Sequence, residues 1–193
     1  MAKTRGRCGD LGLTYAAVQV IFRRTGQRQY AVEVRRQYAD DVVMKPAPGY
    51  DDHLPHDLIH LLVERHWRIQ DGIFGQLAAG GDAHTFVPLD AQRDKRWAKR
   101  SAKRNAAAGH GVQRSESLAF VIHVRWHQRH DGHLVPPRLD DRIEIAGATA
   151  RQIDDCLTEA DGLARRWRQL GVGGELQFDW PWPERGRVRR VVA

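Results

Sequence analysis

His56 and His60 stand four residues apart within Pro55 to Ile69, PHDLIHLLVERHWRI. On an α-helix that spacing stacks two imidazoles one turn apart on the same side, where they can share one divalent ion such as zinc. Asp57 and Glu64 flank the pair and supply carboxylates able to act as a base or to orient a ring nitrogen. Turning about 100° per residue from His56, Leu58, Ile59, Leu62, Val63, His66 and Ile69 fill one continuous arc. Asp57, Glu64, Arg65 and Arg68 take the other side, His56 and Trp67 fall on the seam, and His60 lies just beyond it toward Glu64. A helix of this kind half shields the pair from water. Pro55 suits its first position, with Asp51 or Asp52 placed to cap it.

Zinc proteases place two ligands and a general base on one helix as HExxH. Here the acid is Asp57, one methylene shorter. Val63 stands where the longer form of that motif needs a helix-breaking glycine, and the only methionines, Met1 and Met44, supply no methionine turn. The protease reading is therefore set aside. The string resembles instead the HDxxH zinc motif of the coenzyme Q biosynthesis scaffold family, where the pair is followed by eleven residues and a Gly-Glu that completes the site. In this chain fifteen residues, 61 to 75, lie between His60 and Gln76, and Gly75-Gln76 replaces Gly-Glu. That resemblance implies a metal held by His56, His60 and Gln76. The whole chain also resembles an uncharacterised group of proteins from high-GC bacteria with a PHDLxH helix followed by GIFGQLAAGG, which implies no activity. Glu64, Asp82 and His84 are further candidate ligands.

Two other stretches carry charge or histidine. In Leu89 to Ala108, Arg93, Arg96, Arg100, Lys103 and Arg104 share one helical face, with Lys95 and Lys99 beside it and Trp97 at its edge. Such a face suits a phosphate backbone, the indole stacking on an exposed base; the alternative is a solvated helix with an alanine-lined underside. His123, His127, His130 and His133 follow the apolar run Leu118 to Trp126. The first two repeat the four-residue spacing and so form a second metal half-site or face the first pair across the core; alternatively the four mark the polar end of a core helix entering a loop.

Length and composition set outer bounds. The chain has 193 residues, 41% of them hydrophobic, and is expected to bury one core. No apolar run approaches the ~20 residues of a membrane span, and residues 1 to 12 lack the apolar centre of a signal peptide, so a cytoplasmic protein with no membrane partner is expected. Cys8 and Cys156 are far apart, which argues against a disulfide framework, and Cys156 falls on an apolar helical face. The net charge is +7 and the pI about 9.9. Of 31 basic residues 26 are arginine, the bias of a GC-rich genome, so charge favours a polyanion or nucleic-acid partner only modestly.

The elements that must position these residues follow from periodicity. Leu13 to Arg23 and Tyr30 to Arg35 read as a β-hairpin turning at Thr25 and Gly26, which Gln37 to Met44 extends. The histidine helix follows, then a short helix Ile73 to Ala79 whose glycines and alanines permit close packing. Leu118 to Trp126 reads as a buried helix with Ser115 as its cap, and Asp131 to Gly147 as a crossing loop. Thr149 and Gln152 make a capping box for a helix through Leu170, and Leu176, Phe178 and Trp180 alternate in a strand expected to pair with the hairpin. Trp180 and Trp182 are expected to join sheet to helices. The class is α+β: a small antiparallel sheet, from the N-terminal hairpin and the C-terminal strand, packed against four or five helices. It forms one domain over 11–182 between disordered basic tails at 1–10 and 183–193. Three functions stay open: divalent-metal binding, nucleic-acid association, or a non-catalytic structural or partner-binding role.

Overall fold

Val20 and Phe22, Tyr30, Val32 and Val34, and Leu176 and Phe178 occupy alternate positions, and the two-residue period of a strand sends each set to one face. In the computed structural model, which describes residues 18–90, 94–109 and 111–184, that face is the buried side of one sheet. β1 (Gln19–Gly26) and β2 (Gln29–Arg35) form the hairpin, with Val20 opposite Val34 and Phe22 opposite Val32. β3 (Val42–Met44) lies beside β2, and the two-residue β4 (Val87–Pro88) closes that edge. β5 (Glu175–Asp179) pairs with β1, setting Phe178 opposite Val20 and Leu176 opposite Phe22. The order is β4-β3-β2-β1-β5, antiparallel at every pairing, so the C-terminal strand joins the N-terminal hairpin as expected.

The helices are α1 (His56–His66), α2 (Ile73–Ala78), α3 (Lys95–Ala108), α4 (Gly111–Asp131), α5 (Leu139–Ala146) and α6 (Ala150–Arg168); α1, α2 and α6 reach the sheet, while α3 packs on α2, α4 on α1 and α6, and α5 on α4. Phe22 meets Phe74 of α2 at 6.2 Å and Phe178 edge-on at 6.0 Å, and Tyr30 meets Trp167 of α6 edge-on at 5.9 Å. Such tilted and perpendicular ring pairs add to the area they bury. Trp180 packs on Phe74, and Trp182 on Trp180, which fastens the end of β5 to the helices. The Thr149–Gln152 capping box is present, and α6 buries Ile153, Cys156, Leu157, Ala160, Leu163, Ala164 and Trp167.

Five expectations need correction. The stretch 131–147 is not all loop, because α5 forms between Arg138 and Gly147, both in the left-handed region. With α5 the described residues hold six helices rather than four or five. Ser115 does not start a helix: α4 begins at Gly111, whose N–H donates to the Asp71 carboxylate, and Ser115 lies one turn inside. Asp51 does not cap α1 but accepts from the N–H groups of His53 and Leu54 in the turn before it. The C-terminal tail cannot begin at 183, since the Glu184 carboxylate accepts from the N–H groups of Gln37 and Tyr38 and is buried there. Residues 1–17 and 185–193 lie outside the described residues, and with them the expected tails, Cys8 and the first part of the strand read from Leu13.

Phe22 is wholly buried where β1, β5 and α2 meet. Phe22→Ala is expected to lower unfolding free energy by about 3–5 kcal/mol, read as a shift of the urea midpoint at unchanged slope.

Candidate metal centre

α1 is buried almost all round, not on one arc. Every side chain from Asp57 to Glu64 is enclosed, while His56 at the first position remains exposed. The side read as polar meets other elements rather than water. Asp57 accepts a hydrogen bond from the hydroxyl of Tyr30 on β2, and burial, opposed by that bond, raises its carboxyl above the usual range. Glu64 accepts from the N–H groups of Ile73 (2.6 Å), Phe74 (2.9 Å) and Gly75 (3.4 Å) at the start of α2, and from the Ser115 hydroxyl (2.8 Å) on α4. This approach needs Gly72, since a Cβ there would lie 2.3 Å from Glu64 Oε1.

The same hydroxyl settles the state of His60. With Glu64 ionised, Ser115 Oγ donates to it and is therefore the acceptor for His60 Nδ1–H at 2.9 Å. His60 Nε2 is then left with a lone pair, 3.0 Å from His56 Nε2 and 3.6 Å from a carboxylate oxygen of Glu116. Burial first, and then the nearby His56, push the His60 pKa down to about 3. The ligand atoms of His56, His60 and Glu116 all lie within 4.8 Å of one another. Donors about 2.0–2.1 Å from a tetrahedral zinc are separated by roughly 3.3 Å, so the two nitrogens already sit near the spacing an ion would impose. Nδ1 bound to a serine that is itself held by a carboxylate is the outer support metal-ligating histidines use.

The third donor is thus Glu116, which the sequence reading missed. Its signal was the pattern of α4, where Glu116, His123 and His127 recur at seven and four residues on one face. That face meets α1. The partners of the two imidazoles are each other, Ser115 and Glu116. Gln76 lies buried on α2, the helix whose N-terminus Glu64 holds. Asp82 and His84 belong to a separate turn, in which Asp82 accepts from His84 N–H and from the Asn105 amide of α3. His66 ends α1 with its ring against Trp67.

His123 lies one turn from His127 on α4, their rings 4.5 Å apart, and its Nδ1 is buried without a hydrogen-bond partner. His127, Asp131 and His133 form another group of donors within 4.8 Å. His130 bonds instead to Asp161 of α6.

The basic helix is only partly as expected. Arg93 lies outside the described residues. Arg96, Arg100 and Lys103 are exposed, and Arg104 is exposed while donating to the carbonyl of Gly80. Trp97 is not available to stack on a base: it is 6% exposed, on the face of α3 that also buries Ser101 and Asn105. Its position follows from the N-cap, where Asp94 accepts from the Trp97 N–H and starts the helix with the indole turned inward.

Among the described residues no helix is long and apolar enough to cross a membrane. Comparison with protein-family models, with curated proteins and with solved structures finds no match to the chain.

Burial pushes the Glu64 pKa from its ordinary 4.5 up to about 7, against the pull of Ser115 and the α2 N–H groups. A carboxyl raised by folding stabilises the fold fully below its unfolded value and loses that contribution as pH rises through the folded one. Glu64 is therefore expected to make stability fall between pH 4.5 and about 7. Chemical denaturation across that interval should show this component in the parent chain and its absence in Glu64→Gln.

Proposed function

We propose that the chain is a cytoplasmic protein that binds a divalent metal ion, zinc foremost, through His56, His60 and Glu116. The observation that carries this reading is the hydrogen-bonded series Glu64, Ser115, His60, which ties off Nδ1 and turns the Nε2 lone pair toward His56 Nε2 and the Glu116 carboxylate. Two imidazoles and one carboxylate are the ligand types of catalytic zinc sites, and zinc held by three such groups supplies a Lewis acid with an open position.

The chain's own residues divide the remaining work. Glu64 and Ser115 orient His60 from behind. Asp57, in the position of the protease base, is engaged by Tyr30, which argues against hydrolysis of the HExxH kind. Exposure of His56 and Glu116 leaves the site open to solvent from one side, so an ion can enter without the core opening.

Protein purified without a histidine tag is expected to carry zinc, or to take it up stoichiometrically, and to melt at lower temperature after chelation. His60→Ala should abolish binding at this site. Ser115→Ala should keep the three ligands but weaken affinity by about tenfold or more. Melting that is indifferent to chelator, with no uptake of zinc, would instead leave a structural or partner-binding role.

A further inference from the structure

We propose a second divalent-cation site at the other end of α4, built from His127, Asp131 and His133. It stands independently of the first, since it shares no ligand with it.

Local sequence explains how the three donors meet. His127 and Asp131 are four apart on α4, so Asp131 Oδ2 comes within 2.5 Å of His127 Nδ1. The helix then ends, and Gly132, at φ +66°, turns the chain back in a conformation that favours glycine. His133 N–H returns to the carbonyl of His127, and its ring lies parallel over that of His127, with centroids 5.2 Å apart and planes 15° apart. A histidine beyond a helix end has no need to fold back over the last turn. Here it does, and it brings a second imidazole to the Asp131 carboxylate.

The far side of His127 faces a fixed carboxylate at ion-pair distance. Its Nε2 faces Asp51 Oδ2 at 3.6 Å, and the other oxygen of Asp51 is fixed by the N–H groups of His53 (2.7 Å) and Leu54 (2.8 Å). The carbonyl of Asp51 also accepts from Trp167 Nε1 of α6. An aspartate anchored at three points thus faces one ring nitrogen, while Nδ1, hydrogen-bonded to Asp131 Oδ2, would give up that shared proton to a cation held with Asp131 and His133. Asp131 also forms part of the wall of a cavity of about 290 Å³ that His53, Trp126, His130 and Arg165 line. A His/Asp pair alone would be an ordinary helix-end contact. The folded-back third donor and the anchored Asp51 are what such a contact lacks.

Zinc titration of the full chain by calorimetry, repeated with cobalt(II) absorption as a second readout, tests this. The parent chain is expected to take one equivalent beyond that held by His56, His60 and Glu116. His133→Ala and Asp131→Asn should each remove that equivalent and leave the other. Asp51→Asn, which retains the oxygen that anchors the turn, should weaken it by about tenfold. Both His133 and Asp131 are exposed, so an unchanged melting profile without metal is expected in either variant. Unchanged stoichiometry and affinity in His133→Ala and Asp131→Asn overturn the proposal. A single equivalent that His60→Ala removes and His133→Ala retains overturns it while sparing the first site. A single equivalent with the reverse pattern supports it and removes the first site instead, and no uptake at all overturns both.

Discussion

A carboxylate with no exposed surface holds three helices of this protein together. Glu64 leaves α1, takes three backbone N–H groups at the head of α2, and takes the hydroxyl of Ser115 from α4. Burying an ionisable group away from water costs several kcal/mol unless its lone pairs are met, and here four donors meet them. The N-terminus of α2 is a natural place for such a group, because its first N–H groups have no partner within the helix. Gly72 completes the arrangement by leaving room that any side chain would fill. Since Ser115 spends its proton on Glu64, the tautomer of His60 is decided by a residue one turn further along the same helix.

This changes how the acids of the histidine helix are understood. In a sequence, Asp57 and Glu64 beside a histidine pair invite catalytic roles. In the fold both are fastenings: Asp57 joins α1 to the sheet through Tyr30, and Glu64 joins it to α2 and α4. The residues left free to meet a ligand are those at the rim, His56 and Glu116. Only His60 belongs to both the buried scaffold and the open edge.

What could be read in the sequence divides along a physical line. Two-residue alternation revealed β2 and β5, and β-branched and aromatic content revealed β1, because the inward side chains of each are buried; Ile21 and Ala31 on the opposite face are buried as well. The 3.6-residue period and the Thr149–Gln152 box revealed α6 for the same reason. The His56–His60 pair was legible because helical pitch alone brings the rings together, at 4.6 Å between centroids. Glu116 was harder to read, since its value depends on which side of α4 rests on α1, and only the recurrence of Glu116, His123 and His127 marks that side in and around an almost wholly apolar Leu118 to Trp126. Trp97 misled because an indole amid cations looks exposed, whereas α3 turns it under together with Ser101 and Asn105. α5 escaped because it is eight residues long and buries only Leu139 and Ala146.

α4 runs unbroken for 21 residues. Glu116 and His127 stand eleven positions apart on it, on the order of 16 Å along the axis. The two clusters of donors are therefore mounted on one rigid rod, and their separation is fixed by backbone hydrogen bonding instead of by any loop. A twist or slide of that rod against α1 would disturb both ends together, so neither can be tuned by evolution without the other registering the change.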